Sequence, residues 1–232
     1  MPTTWLTADT HFNHLNIIAY TKRPFFKSGY GPEDLEALLN NTPNGRRPDR
    51  QSLNEIVDVR AHDEAIVQNW NDRVSSGDTV YHLGDFAFGI FEHYLRRLNG
   101  NKILIMGNHD KGIERYERFF GHIFREPPLN RGISINGEKV ILNHYPMLSW
   151  NAAFHGRLHF FGHVHSAPHR IFICSRNSYD VGVDNNNFSP ISFEEASERA
   201  KNNPNVLRFG ENGVSETLQN DEDSIYDQIE IE

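Results

Sequence analysis

The sequence predicts an α/β domain built in layers. Short apolar segments rich in β-branched and aromatic residues alternate along the chain with longer segments whose apolar residues recur at helical spacing. Alternating strands and helices are typical of layered α/β domains. A third observation is that nearly every predicted strand runs directly into a short polar motif. The ends of several strands are therefore expected to bring polar side chains together.

The predicted strands are short and contain many Val, Ile, Leu, Phe and Tyr residues, which favours strands over helices. Those that end at polar motifs cover residues 5–8, 79–83, 102–106, 139–143 and 158–161. Two more are predicted at 171–174 and 179–183.

Three helices are predicted around these strands. Apolar residues recur at mostly helical spacing over 53–74 and again over 91–98. Ser192 and Glu195 form a predicted capping box, which marks the start of a helix that extends to about Asn202.

One domain is predicted over residues 1–210, followed by an acidic tail over 211–232. Residues 40–52 are polar and rich in Asn, Pro and Arg, so they are predicted to form a loop inserted into the domain. The chain has 31 acidic and 23 basic residues, and eight of the acidic ones lie in the tail, which has no Lys or Arg. The body is therefore electrically neutral, which argues against an extended nucleic-acid track. The tail is predicted to be flexible.

Composition also limits the expected location of the protein. Mean hydropathy is −0.61, and no apolar run approaches the roughly 20 residues that a membrane helix needs. No charged segment followed by an apolar run precedes the first motif, so no secretory signal is expected. Cys174 is the only cysteine, which excludes an intrachain disulfide, and it is predicted to be a small buried residue. These observations favour a cytoplasmic protein without membrane contact.

The first two polar motifs supply two carboxylates. Asp9 and His11 follow the first predicted strand, and the alternation of an extended chain would put both side chains on the same side. Asp85 follows the second strand directly after Gly84, where the lack of a side chain lets the backbone approach an ion. A carboxylate has two oxygens, so Asp85 is assigned as the ligand that bridges two metal ions. Taken alone, each motif is as compatible with a turn.

The segment 107–110 combines a further ligand with a candidate catalytic residue. Asn108 offers a neutral amide oxygen to a hard cation. His109 then lies beside the metal ions with no ion left to bind, where it can donate a proton to a leaving oxygen at phosphorus. Asp110 is predicted to accept a hydrogen bond from the other ring nitrogen of His109 and fix its tautomer. The alternative is a turn stabilised by Asn and Asp.

Three more imidazoles complete the candidate ligands. His144 follows the fourth strand, and His163 and His165 lie two positions apart after the fifth, so that in an extended segment both rings point the same way. Two carboxylates, one amide and four imidazoles are enough to hold two divalent metal ions. Such a pair, about 3.5–4 Å apart, is the usual apparatus for in-line attack at phosphorus. Taken singly, each of these His residues is more often a hydrogen-bonded structural side chain.

Further residues are weaker candidates. His14 lies beside the first motif and is a candidate for substrate binding, with packing at a helix start as the alternative. Arg23 is a candidate for bidentate phosphate binding, with a surface ion pair as the alternative. Asp184 is predicted to orient a ligand imidazole, unless it simply ends a strand. His62 is treated as an ordinary residue.

The full set of motifs resembles that of the calcineurin-like metallophosphoesterase family, over roughly residues 4–190. The family pattern is D-x-H, G-D, G-N-H-[DE], H and G-H-x-H, and each part has a counterpart here. Segments such as 80–86 and 180–184 further resemble a bacterial and phage branch of that family. The resemblance implies a four-layer α/β/β/α sandwich of the metallo-dependent phosphatase type, with the metal ions at the strand ends.

The same resemblance implies a role for each residue. One ion would be held by Asp9, His11, Asp85 and His165. The other would be held by Asp85, Asn108, His144 and His163. The implied catalytic residue is His109.

The leading hypothesis is a dinuclear metal-dependent phosphoesterase that prefers phosphodiesters. A hydroxide held between the ions would attack phosphorus, and His109 would act as general acid toward the leaving alkoxide. The nitrogen and oxygen ligands suit Mn, Fe, Zn, Co or Ni better than Ca, and Mn is favoured. The expected partner is a phosphate-ester substrate, with nucleotides and nucleic acids among the candidates. Alternatives are a phosphomonoesterase or nuclease of the same fold, or a non-catalytic binding module.

Overall fold

The computed structural model describes residues 2–42, 48–165 and 177–203, together with the backbone of 208–209 and 215–216. The strand predicted at 171–174, with Cys174, and all of the predicted tail except the backbone of 215–216 lie outside them. The division of the chain at residue 210 stays a prediction.

The described residues form two main sheets. The strands are β1 (Thr4–Thr7), β2 (Thr79–His82), β3 (Asn101–Ile105), β4 (Phe120–Phe124), β5 (Ile133–Ile135), β6 (Glu138–Leu142), β7 (His159–Phe161), β8 (Ser178–Asp180), β9 (Ile191–Ser192), β10 (Arg208–Phe209) and β11 (Ser215–Glu216). The first sheet has the order β4-β3-β2-β1-β9, in which β1 to β4 run parallel and β9 is antiparallel to β1. The second has the order β5-β6-β7-β8, in which only β5 is antiparallel to its neighbour. β10 and β11 form a separate antiparallel pair.

Helices flank the sheets. They are α1 (Leu15–Tyr20), α2 (Pro32–Asn41), α3 (Arg50–Ile56), α4 (Val59–Arg73), α5 (Phe91–Leu95) and α6 (Phe193–Lys201). Within the described part of the chain, no helix has the length and hydrophobicity to cross a lipid bilayer.

One buried core lies between the two sheets. Leu6 and Ile105 of the first sheet pack with Leu142 and Phe160 of the second in one buried cluster. α4 covers the outer face of the first sheet, where its Trp70 is completely buried among apolar side chains. Burial of such faces is the main favourable contribution to folding. The predicted α/β class, with two stacked sheets and flanking helices as in metallo-dependent phosphatases, is confirmed.

One helix prediction needs correction and another is confirmed. The helix predicted over 53–74 is in fact the end of α3 followed by α4. The interruption occurs because Asp58 adopts an extended conformation and caps α4, accepting a hydrogen bond from the N–H of Ala61 at 2.9 Å. The cap at Ser192 is present, since its hydroxyl accepts from the N–H of Glu195 at 3.1 Å.

The loop predicted over 40–52 is too long at both ends. α2 extends to Asn41, so the first positions of the predicted loop are helical. α3 begins immediately after Asp49, whose side chain accepts a hydrogen bond from the N–H of Ser52 at 2.9 Å. This aspartate is a helix cap rather than a loop residue.

The three N-terminal helices form a layer with its own core. Leu15 and Ile18 of α1 pack with Leu35 of α2 and Leu53 of α3. α1 begins directly after His14, so this layer is attached to the polar motif that ends the first strand.

The polar motifs meet at the carboxyl ends of neighbouring parallel strands. Beyond β1 and β2, the N–H of Asp9 donates to the carbonyl of Gly84, and the N–H of His11 donates to that of Asp85, both at 3.0 Å. A further parallel bridge joins Ala8, after β1, to Gly182, two positions beyond β8 of the second sheet. α/β proteins commonly place ligand sites at such strand ends. The fold therefore gathers the segments that carry the candidate ligands.

Candidate metal centre

Several predicted metal ligands have left-handed backbone conformations. Their φ angles are 57° at Asp9, 47° at His11, 58° at Asp85, 73° at His163 and 49° at His165. Residues other than glycine rarely adopt this conformation, and it persists where the surrounding structure holds it. The prediction that alternation along an extended chain aligns these side chains is therefore wrong, although the side chains do converge. Backbone strain is concentrated at the centre.

The candidate ligands form two sets of three side chains. The first ligand set is Asp9, His11 and His165, and the second ligand set is Asp85, His144 and His163. Within each set, the candidate ligand atoms lie within 4.8 Å of one another. This spacing allows one ion to contact all three members of a set.

The first ligand set is deeply buried and three of its polar atoms lack partners. Asp9 and His11 are 0% and 2% exposed. Among the described residues, Oδ1 of Asp9 and both ring nitrogens of His11 have no hydrogen-bond partner. Leaving such atoms unpaired costs about 1–3 kcal/mol each. A cation would satisfy Oδ1 of Asp9 and one ring nitrogen of His11, so these residues fit a metal ion.

The second ligand set presents one nitrogen with a free lone pair. Nδ1 of His144 donates to the carbonyl of Leu83 at 2.8 Å, which leaves Nε2 available for an ion. That nitrogen lies 3.0 Å from Oδ1 of Asn108 and 3.5 Å from Oδ2 of Asp85. The ring of His163 is centred 5.0 Å from that of His144. A nitrogen and two oxygens at these separations suit a shared cation.

Asp85, a member of the second ligand set, also approaches the first. Its Oδ2 is 3.6 Å from Nε2 of His11 and 3.5 Å from Nε2 of His144. Its Oδ1 accepts a hydrogen bond from the backbone N–H of His109 at 2.9 Å. One carboxylate thus reaches both sets, which is the geometry that a bridging ligand needs.

Burial shifts the pKa values of the centre in both directions. It raises the pKa of Asp9 well above its usual value, and repulsion by Asp180 and Asp85 adds to that shift. Burial also raises the pKa of Asp85 and lowers the pKa values of His11 and His144. Each shift disfavours a charged side chain away from water. A divalent cation would reverse the balance for the carboxylates while binding the imidazoles in their neutral form.

Asp184 connects the first ligand set to a buried arginine. Its Oδ2 accepts a hydrogen bond from Nδ1 of His165 at 2.7 Å, which leaves Nε2 of that ring for an ion. Arg23 binds the same carboxylate through two N–H groups, at 2.8 and 2.7 Å. Burial alone would raise the pKa of Asp184, but the guanidinium of Arg23 and the hydrogen bonds hold it well below its usual range. Asp184 is therefore an anion that fixes the ring of His165.

The predicted phosphate contact of Arg23 is wrong, and so is the alternative of a surface ion pair. The residue is 1% exposed. Two of its five N–H groups bind Asp184. The others donate to the backbone carbonyls of Asp9 and Thr10 and to Nε2 of His62. No donor is left for a substrate.

Asp110 does not orient His109 as predicted. Its Oδ2 accepts hydrogen bonds from the backbone N–H groups of Asp85 and Gly107, and its Oδ1 accepts one from Phe86, each at 2.8 Å. The residue is completely buried. Its carboxylate holds together the turns that follow β2 and β3.

His109 and His14 lie on the open side of the centre. His109 is exposed, and its ring centre is 5.8 Å from that of His11. His14 is half-buried and stacks on the ring of Phe88 at 3.9 Å. Burial lowers the pKa of His14 to about 4. Both histidines are therefore close to the first ligand set, and the ring of His109 can be reached from solvent.

Sequence reasoning missed three residues. Phe88 stacks on the histidine next to the first motif, and the hydroxyl of Tyr145 lies 3.3 Å from Oδ1 of Asn108. Both have a local signal in the sequence, because each is an aromatic residue within a few positions of a motif. His62 contacts Arg23, which is 39 positions away, so no local signal marked it.

One family model and three similar proteins were found by comparison with known proteins. A family model described as calcineurin-like phosphoesterase matches residues 2–167, which include both ligand sets. An uncharacterized protein of Methanocaldococcus jannaschii is 30% identical over 197 residues, which cover 82% of this chain and 86% of that protein. The gene 66 protein of Mycobacterium phage D29 is 26% identical over 153 residues, which cover 53% of this chain and 75% of that protein. A solved structure of a protein of unknown function from Aquifex aeolicus has a TM-score of 0.56 and 25% identity, over 85% of this chain and 99% of that one.

Proposed function

The chain belongs to the calcineurin-like phosphoesterase family, and we propose that it hydrolyses phosphodiesters with two bound divalent metal ions. Metal-dependent hydrolysis of phosphate esters is the activity that the family implies. The observation that carries the proposal is Asp85, whose Oδ2 lies between His11 of the first ligand set and His144 of the second. Two ligand sets that share a carboxylate suit a pair of neighbouring ions.

Each proposed ion is held by one ligand set and one further residue, which is Asp85 for the first set and Asn108 for the second. One ion is assigned to Asp9, His11, Asp85 and His165. The other is assigned to Asp85, Asn108, His144 and His163. When bound, such ions polarise phosphoryl oxygens and lower the pKa of coordinated water towards about 7. The mixture of nitrogen and oxygen ligands suits Mn, Fe, Zn, Co or Ni, and we propose Mn as the first to test.

We assign the supply of a proton to His109. Hydrolysis adds the oxygen of water to phosphorus and breaks the bond to the leaving alkoxide, which then needs a proton. The backbone N–H of His109 donates to Oδ1 of Asp85, so the residue is tied to the shared carboxylate while its ring is exposed. A ring in this position can protonate a departing oxygen.

The net positive charge of the proposed centre attracts phosphate esters, and one diester would balance it. Two divalent cations, the carboxylates of Asp9 and Asp85, and one hydroxide leave about one positive charge. A phosphodiester carries one negative charge, whereas a monoester carries about 1.5–2 near pH 7. Cyclic nucleotides and single-stranded nucleic acids are the diesters to test after simple aryl esters.

The test is hydrolysis of an aryl phosphodiester and an aryl phosphomonoester by protein reconstituted with Mn²⁺. We expect faster turnover of the diester, and a fall of about 10²–10⁴-fold in His109→Gln. Asn108→Ala is the inactive control. His122→Gln changes an exposed histidine on β4, outside both ligand sets, and should keep full activity. Failure of the metal-loaded protein to hydrolyse either ester would contradict the proposal, and a faster monoester rate would overturn the diester preference.

A further inference from the structure

We infer that Arg23 and His62 are positioning residues for the first ligand set, acting through a buried chain of hydrogen bonds that ends at His165. The inference rests on the proposed function, because it requires the first ligand set to hold a metal ion. Neither residue touches the candidate ligand atoms. Each acts through other groups.

Arg23 is connected to every member of the first ligand set. Two of its N–H groups bind Asp184, which accepts a hydrogen bond from Nδ1 of His165. Two others donate to the carbonyls of Asp9 at 2.9 Å and Thr10 at 3.3 Å. Those carbonyls lie in segment 9–11, which carries the other two members of the set, Asp9 and His11, both with left-handed φ angles. One guanidinium therefore holds the backbone of two ligands and the ring orientation of the third.

His62 holds Arg23 in turn. Nε2 of His62 lies 2.7 Å from the guanidinium, which can only donate, so this nitrogen must be the acceptor. The ring proton is therefore on Nδ1, which donates to Oδ1 of Asp63 at 2.8 Å. Asp63 also accepts hydrogen bonds from the backbone of Asn13 and the hydroxyl of Tyr94. These hydrogen bonds fix the tautomer and the ring orientation of His62 between Arg23 and Asp63.

The chain of hydrogen bonds is buried along its length. Arg23 and His62 are 1% and 0% exposed, and the side chains of Asp184 and Asp63 are 3% and 7% exposed. Because water cannot replace a lost partner at such depth, removal of one member leaves the next unsatisfied. Lysine cannot substitute for Arg23, since it has three donors and no planar fork.

The second ligand set has further supports that do not involve Arg23. His144 is oriented by the carbonyl of Leu83, and the turn that carries Asp85 is held by Asp110. Disruption of the Arg23 contacts is therefore expected to weaken ion binding at the first set much more than at the second set. This selectivity separates a positioning role from a general effect on stability.

Calorimetric titration with Mn²⁺ tests the inference in two backgrounds that isolate each ligand set. His144→Ala removes a member of the second set, and His11→Ala removes a member of the first. In the His144→Ala background, adding His62→Leu should weaken Mn²⁺ binding about 10–100-fold. Adding His62→Gln should restore it to within a few-fold, because its amide oxygen can accept from Arg23. In the His11→Ala background, both changes should alter the affinity by much less.

A matched control and a second variant complete the design. Arg97→Met removes an ion pair with Glu64, which lies on α4 as His62 does, and should leave both affinities unchanged. Circular dichroism establishes that each variant is folded, and if His62→Leu does not fold, Arg23→Lys is judged by the same selectivity. Unchanged affinity at the first set, or equal loss at both sets, would overturn the inference. Wild-type protein that binds no Mn²⁺ would instead overturn the proposed function.

Discussion

Oδ2 of Asp110 lies 2.8 Å from the backbone nitrogen of Asp85 and accepts its hydrogen bond. The same carboxylate accepts from the N–H groups of Gly107 and Phe86, also at 2.8 Å. Hydrogen bonds from N–H groups to an ionised carboxylate are stronger than those between neutral groups. Asp110 therefore fixes the turn of the shared ligand and the turn that precedes Asn108 relative to each other.

Replacing Asp110 by Asn should reduce both stability and turnover. The Asn amide has only one oxygen. Its NH₂ group would therefore face a backbone N–H that, in the wild type, donates to a carboxylate oxygen. We expect a loss of about 1–3 kcal/mol in the free energy of unfolding, together with a lower kcat because Asp85 shifts. Urea unfolding and steady-state assays measure the two effects. Asp72→Asn, at an exposed position of α4, should stay within about 0.5 kcal/mol of the wild type. A shifted pH profile at unchanged stability would instead restore the role first predicted for Asp110.

Two glycines approach the ligand carboxylates so closely that no side chain fits. A Cβ at Gly162 would lie 2.4 Å from Oδ2 of Asp9, and one at Gly107 would lie 2.4 Å from Oδ1 of Asp85. Gly162→Ala should therefore displace Asp9 and weaken Mn²⁺ binding about tenfold or more. Gly77→Ala is the matched control, since a Cβ there meets nothing within 4 Å. Equal Mn²⁺ affinities of these two variants in titration calorimetry would show that the close approach does not matter.

Metal ions should stabilise the folded state. An ion that binds only the folded protein adds about 2.7 kcal/mol at a free concentration 100 times its Kd. Thermal unfolding should therefore shift to higher temperature as Mn²⁺ replaces EDTA. The shift should be smaller in His11→Ala and in His144→Ala, each of which lacks one member of a ligand set. Superimposable unfolding curves with and without Mn²⁺ would rule out ion binding to the folded chain.

Acid should destabilise the protein through His159. This residue is completely buried on β7, and its Nδ1 donates to the carbonyl of Ile141 at 3.2 Å. Burial lowers its pKa to about 4, whereas in the unfolded chain its pKa is about 6.5. As pH falls below about 6.5, His159 binds a proton in the unfolded state but not in the folded state. The stabilising contribution is therefore complete above about pH 6.5 and is lost as pH falls towards 4.

The matched variant for this effect is His159→Asn. It keeps an N–H donor for Ile141 and has no group that titrates in this range. Between about pH 6.5 and 4, the free energy of unfolding of the wild type should fall more steeply than that of the variant, by up to about 1.4 kcal/mol per pH unit. Urea unfolding in EDTA at several pH values provides the comparison. Parallel profiles would assign the acid sensitivity to other groups.

The candidate ligands were predictable because their signals are local. Each lies within a few residues of a strand end, and neighbouring parallel strands present their ends to the same region. The cap at Ser192 was predictable for the same reason, since donor and acceptor are three positions apart.

The environment of Arg23 was not predictable from one sequence. Its carboxylate partner, Asp184, is 161 positions away, and its burial depends on how the N-terminal helices pack against the strand ends. The left-handed conformations of Asp9 and His165 were not predictable either. Glycine is the residue whose presence in a sequence commonly indicates such a conformation. The sequence suggests that Asp110 binds the ring of its neighbour His109. In the structure, its carboxylate instead accepts hydrogen bonds from backbone N–H groups, including that of Phe86 beyond an adjacent strand.

Anomalous diffraction from crystals grown with Mn²⁺ is the most direct test of the dinuclear centre. A dinuclear centre should give two peaks per chain, about 3.5–4 Å apart. One should lie among Asp9, His11 and His165 and the other among Asp85, His144 and His163, with the carboxylate of Asp85 between them. A single peak, or peaks away from these side chains, would contradict it.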